Sequence, residues 1–121
     1  MGGSMAGPFD AIRNFDRLVH DPSRLVILTA LDACGGSEFM PLRFLTGLSR
    51  GNLSLHLGKL LANGLVSLEK TDRFQRTATL VRLTPKGRRA IRSHWRRLEG
   101  VRREVAEWAG RFPTLEPDAA R

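Results

Sequence analysis

The chain has 121 residues, 41% of them hydrophobic, and a formal net charge of +8 from 20 Lys and Arg against 12 Asp and Glu. That is the length of one domain with a modest core, and the excess of cations points to a polyanionic partner. No apolar run approaches the ~18 residues of a spanning helix, no basic-then-apolar leader precedes a cleavage site, and a single cysteine, Cys34, excludes an internal disulfide and any Cys-pair zinc site.

These exclusions set the expectation of a cytoplasmic protein with no membrane partner. Met1-Gly2-Gly3-Ser4 reads as a cloning scar, and residues 1–8 as a leader outside the fold. Apolar residues at Phe9, Ile12, Phe15, Leu18 and Val19 have helical spacing and predict a helix over 9–20, with His20 at its C-terminal end. Asp21-Pro22 restarts the chain, since Asp21 is a good N-cap and Pro22 suits the first helical position. Leu25 to Ala33 is apolar almost all round and predicts a central, buried helix ended by Gly35-Gly36. Cys34, near its end, reads as a small core residue. Glu38-Phe39-Met40 has room only for a short strand or an extended link. Pro41 starts a third helix, which Gly47 stops.

Ser49 is the natural N-cap of a fourth helix whose core face is Leu53, Leu57, Leu60 and Leu61. At 100° per residue the opposite face carries Gly51, Asn52, Leu55, Gly58 and Lys59, with Ser54 and His56 on the flanks. Asn63-Gly64 supplies the C-terminal cap. Leu65 to Lys70 and Thr77 to Leu83 alternate like strands, with Thr71-Asp72-Arg73-Phe74-Gln75-Arg76 between them. Thr84-Pro85 opens the last helix, predicted to about Arg111. In that helix Ile91, Leu98, Val105 and Phe112 recur every seventh residue, and His94, Val101 and Trp108 follow the first three by three. This is an a/d seam, flanked by Trp95. Basic residues beside it pair with Glu99, Glu104 and Glu107 in this reading. Pro113 and Pro117 end the helix in a loose tail, 113–121.

A short helix, a tight turn, a second helix ended by Asn-Gly and a hairpin are, in that order, the parts of a winged helix-turn-helix. The expected fold is therefore mainly α with a small β-hairpin wing: a DNA-binding core over 9–84 and a terminal helix over 85–112. The second helix of the motif enters the major groove of duplex DNA. There Asn52 can pair with adenine, and Lys59 can reach a guanine or a phosphate. Gly51 and Gly58 lower the surface so that the backbone can sit close. Leu55 cannot hydrogen-bond a base but can touch a thymine methyl. Ser49 and Arg50 lie at the helix N-terminus, where free N–H groups favour phosphate. Arg73 and Arg76 fall where a wing tip enters the minor groove or holds the backbone. Phe74 between them is expected to pack back on the hairpin.

The segments His20-Asp21-Pro22-Ser23-Arg24-Leu25-Val26-Ile27-Leu28, Gly51-Asn52-Leu53-Ser54-Leu55-His56-Leu57, Leu60-Leu61-Ala62-Asn63-Gly64-Leu65-Val66 and Arg82-Leu83-Thr84-Pro85-Lys86-Gly87-Arg88 resemble small winged-helix transcriptional regulators of the MarR and ArsR superfamily. The resemblance is greatest to the compact group with a Gly-Asn-Leu-Ser-x-His-Leu recognition helix, and it spans about Phe15 to Gly100. It implies a homodimer held by its terminal helices, which assigns Phe9, Ile12, Ile91, His94, Trp95, Leu98, Val101, Val105, Trp108 and Phe112 to the interface. It also implies recognition helices in successive major grooves of a pseudo-palindromic operator. Ser49, Arg50, Asn52, Ser54, Leu55 and His56 are its positions for base or phosphate contact. Leu55 departs from the family pattern, where a polar or basic residue is usual, and the wing tip is poor in glycine.

No cofactor and no metal site is expected. Cys34, His20, His56 and His94 do not place two ligands at metal spacing on one helix. His94 at a d position reads as a register residue. No nucleophile–base pair, paired carboxylates or phosphate loop marks an enzyme. Trp95 and Trp108 read as interface core; the alternative is a small-molecule effector bound beside them, between the DNA-binding core and the dimer helices, which no motif names. The expected function is a homodimeric repressor. The rivals are a protein-interaction module docking through Leu55 and a non-specific chromosome-coating protein.

Overall fold

The computed structural model describes residues 7–73 and 76–111. Residues 1–6 of the expected leader, Phe74, Phe112 and the expected tail 113–121 lie outside them. The elements are α1 (Pro8–Arg13), α2 (Pro22–Cys34), β1 (Ser37–Glu38), α3 (Phe39–Thr46), α4 (Arg50–Ala62), β2 (Val66–Arg73), β3 (Arg76–Leu83) and α5 (Pro85–Ala109). The described residues form two compact units: Asp16–His94, and the terminal segments 7–15 and 95–111. Among the described residues no helix is long and apolar enough to cross a membrane.

In the unit Asp16–His94 the local chemistry sets each boundary. Asp21 caps α2, its carboxylate accepting the Arg24 N–H at 3.0 Å. Gly35 ends the helix at φ 79°, a left-handed conformation that favours glycine. The exposed end of α2 leaves Cys34 in solvent rather than in the core, contrary to expectation. α3 starts at Phe39, two residues before Pro41, and stops at Gly47 with φ 74°. Of the expected extended stretch Glu38-Phe39-Met40 only Glu38 is in a strand, with Ser37 before it, since Phe39 and Met40 already belong to α3. Ser37–Glu38 extends the hairpin to a three-stranded antiparallel sheet in the order β1-β3-β2. The two hairpin strands reach further toward the tip than their alternation suggested, pairing from Val66↔Leu83 to Arg73↔Arg76.

The core of this unit gathers Ile27, Leu28 and Leu31 of α2, Leu42 of α3, Leu53, Leu57 and Leu60 of α4, and Leu65, Val66, Val81, Leu83 and Ile91. Two expectations change here. Leu61 is 44% exposed, because the stripe of α4 that meets the core is narrower than four leucines. Ile91 and His94 are buried inside this unit and are therefore withdrawn from the dimer seam. His94 Nε2 stands 3.1 Å from His20 Nδ1, so one ring donates and the other accepts.

His20 itself is not on a helix. The predicted helix over 9–20 ends at Arg13, where Asn14 turns its N–H to the Ala11 carbonyl at 3.2 Å. Asp16 then accepts the Leu18 N–H at 2.9 Å, a local bond that competes with helix continuation. In the terminal unit, Phe9 meets Trp108 edge-on at 5.2 Å between ring centroids, and the Arg97 guanidinium lies 5.1 Å over the Phe15 ring. Glu99 pairs with Arg102, whose hydrogen bond and charge hold its carboxyl below the ordinary value.

Candidate nucleic-acid interface

α3 and α4 are joined by three residues that the sequence equips for a sharp turn. Gly47 closes α3 with its N–H on the Arg43 carbonyl at 2.9 Å, and the Thr46 hydroxyl donates to the Leu42 carbonyl at 2.9 Å. The Ser49 hydroxyl then accepts the Asn52 N–H at 3.1 Å and caps α4. At the other end Gly64 N–H bonds the Leu61 carbonyl at 3.0 Å and Leu65 N–H bonds the Leu60 carbonyl at 2.9 Å. This is the Schellman closure that an Asn-Gly end favours. α4 is thus fixed at both ends by its own sequence.

Leu53, Leu57 and Leu60 anchor the inner face of α4. Ser49, Arg50, Gly51, Asn52, Ser54, Leu55, Gly58 and Lys59 are all exposed. The structure therefore brings the predicted recognition residues to one surface, with Leu55 in its midst at 55% exposure. A Cβ added at Gly51 or Gly58 would meet nothing within 4 Å. A helical glycine costs roughly 1 kcal/mol relative to alanine, and nothing inside the fold accounts for either residue. On the Ser54 flank, toward the hairpin, lie two grooves of about 430 and 370 Å³ that share Phe39, Ser54 and Thr79, with Arg50 at the rim of the larger.

The opposite flank holds a residue that sequence reasoning missed. Arg24 of α2 donates from Nε to the Leu18 carbonyl at 2.6 Å and from Nη2 to the Arg17 carbonyl at 3.3 Å. Its Nη1 lies 3.1 Å from His56 Nδ1. A guanidinium has no acceptor, so Nδ1 must accept and the proton of the neutral ring sits on Nε2. His56 is half-buried and presents a donor of fixed tautomer beside Asn52 and Lys59. Asp21 completes the arm: its carboxyl is held below the ordinary value first by the Arg24 backbone N–H, then, against burial, by the Arg24 charge. Arg24 and His56 are 32 positions apart, and no local pattern could have joined them.

The hairpin places Arg73 and Arg76 directly opposite each other at the last strand pair before the tip. Thr77 donates to Asp72 at 3.0 Å just behind them. In the terminal unit the assigned dimer residues Phe9, Ile12, Trp95 and Trp108 are 38–47% exposed, and Leu98, Val101 and Val105 are half-buried. Several cations of α5 are already engaged. Arg88 and Arg92 converge on Asp32 of α2, the second through a fork at 3.1 and 3.2 Å. Among the described residues no three His, Cys, Asp or Glu side chains stand together as metal ligands.

A family model described as winged helix DNA-binding domain matches residues 23–101. Among solved structures, a transcriptional regulator homologue protein from Pyrococcus horikoshii OT3 is 26% identical, with a TM-score of 0.73 over 81% of this chain and 96% of that one. A MarR family regulator from Silicibacter pomeroyi is 22% identical, with a TM-score of 0.58 over 92% of this chain and 70% of that one. BpsR of Bordetella bronchiseptica, whose DNA binding is regulated by 6-hydroxynicotinic acid, is 19% identical, with a TM-score of 0.62 over 92% of this chain and 80% of that one. The last two likenesses are likenesses of fold. No curated protein matches the sequence.

Proposed function

Since the chain belongs to the family of winged helix DNA-binding domains, we propose that it is a homodimeric repressor that recognises a pseudo-palindromic operator in duplex DNA. Its family and fold are those of transcriptional regulators, not of enzymes. The observation that carries the finer reading is α4: three buried leucines anchor it, both ends are capped, and its outer face offers Asn52, Lys59 and the His56 donor to base edges. Ser49 and Arg50 lie at its N-terminus, suited to phosphate. The grooves beside Ser54 leave room for a sugar–phosphate strand between α4 and the hairpin, with Arg73 and Arg76 further along it.

The exposed aromatic and aliphatic residues of the terminal unit support self-association: Phe9, Ile12, Trp95 and Trp108 expose apolar surface that a second copy would cover. A dimer seated across a promoter represses by occlusion alone. NadR has been solved in complex with 4-hydroxyphenylacetate, and BpsR responds to 6-hydroxynicotinic acid. By analogy, a small hydroxylated aromatic acid is the class of effector to screen here, by its effect on operator affinity.

The test is selection of bound sequences from a random duplex pool at roughly physiological salt, where non-specific binding is weak. The expected result is an inverted repeat with half-sites about one helical turn apart. Binding without any enriched sequence would replace the repressor by a coating protein.

A further inference from the structure

The outer face of α4 has a shape that nothing inside the protein requires. Gly51, Leu55 and Gly58 lie at i, i+4 and i+7, so they follow one another along one side of the helix. Leu55 projects at 55% exposure between two positions that have no side chain and open space where one would stand. Alanine at 51 and 58 would fit the folded protein and favour the helix. The glycines suit an external surface that approaches the backbone closely, and the leucine suits an apolar feature on that surface. Asn52 and Lys59 on one side, with Ser54 and Arg50 on the other, make the rest of the face polar and cationic. The surface complementary to this face is then polyanionic. In the major groove of DNA the apolar group that base edges present is the C5 methyl of thymine.

We propose that Leu55 reads a thymine methyl in each operator half-site, and that Gly51 and Gly58 let α4 sit deep enough for it to do so. The inference rests on the DNA-binding reading above and names one of its specificity determinants. It predicts that the operator has a thymine beneath the middle of α4, where a polar side chain would have called for a hydrogen-bonding base edge.

Duplexes recovered from the random pool are remade with deoxyuridine for thymidine, which deletes the methyl and keeps the pairing. The protein should bind the uracil duplex about fourfold more weakly for each methyl that Leu55 touches. Leu55→Ala should bind both duplexes equally and melt at the same temperature as the parent, since Leu55 is not in the core. Gly51→Ala and Gly58→Ala should each raise the melting temperature by about 3 °C while weakening operator binding about tenfold through the added bulk. A stabilised variant with weakened binding cannot be a folding defect. The inference is overturned if uracil has no effect, if it weakens Leu55→Ala as much as the parent, or if the glycine variants bind as the parent does. A protein that binds no duplex from the pool overturns the DNA-binding reading with it and leaves a partner protein as the occupant of this face.

Discussion

α4 and the first turn of α5 both carry glycine in helix, for opposite reasons. At Gly87 a Cβ would fall onto the Leu65 carbonyl oxygen and within 2.9 Å of its carbon. That close approach is part of a seam that ties the start of α5 to the end of α4. Thr84 N–H donates to the Leu65 carbonyl at 3.1 Å, the Thr84 hydroxyl to the Gly64 carbonyl at 2.6 Å, and Lys86 to the Asn63 carbonyl at 3.0 Å. At Gly51 and Gly58 the same missing atom faces open space. One glycine serves the fold, and two serve whatever the fold meets. The comparison teaches that an unexplained glycine in a helix is informative only after its inner surroundings are known.

The sharpest way to break this comparison is Gly87→Ala. The clash is backbone against side chain with nothing flexible to yield, so the loss should exceed ordinary overpacking and reach on the order of 4 kcal/mol. Chemical denaturation would measure it. A stability within 1 kcal/mol of the parent would mean that α5 shifts freely and that the seam is not a constraint.

Next in size is the contrast between the two faces of α4. Leu53 is fully buried, and Leu53→Ala should cost about 3 kcal/mol. Leu55→Ala, two positions away, should change stability by less than about 0.5 kcal/mol. If the two substitutions cost alike, the outer face is packed against something, and the surface described for α4 does not exist in solution.

How far this division was legible beforehand depends on the range of each interaction. The caps at Asp21, Ser49, Asn63-Gly64 and Thr84 could be read because residue and partner lie within about four positions. The outward set on α4 followed from helical periodicity alone. The heptad spacing from Ile91 was also real, but spacing says which residues share a face and not what covers it. Ile91 and His94 are covered by their own unit, His94 by a bond to a residue 74 positions earlier. The helix predicted over 9–20 failed on a local competition, because Asn14 and Asp16 offer the backbone other partners. Arg24 was invisible for the plainest reason: its target lies across the fold.

A smaller effect is expected at the N-cap. Ser49→Ala removes the acceptor of the Asn52 N–H and should cost about 1 kcal/mol. Because α4 must be formed before it can dock, operator affinity should fall with it. An unchanged stability would show that another group takes over that N–H.

The smallest expected effect tests the flank where Arg24 reaches α4. Asparagine caps a helix as well as aspartate does, so Asp21→Asn keeps the cap and removes only the charge facing Arg24. The folded protein holds this carboxyl below its ordinary value of 3.8, so the unfolded chain takes up its proton first as pH falls. The stabilisation is therefore complete above the unfolded value and is lost as pH drops through the folded one. Parent and variant should differ by a small, constant amount above about pH 5, begin to approach each other below about pH 4, and meet once the folded carboxyl has also taken up its proton. Melting curves across that range measure the difference. A gap that persisted in acid would mean that Asp21 acts through hydrogen-bond geometry alone, and that the charge on this arm does nothing to hold α4 to α2.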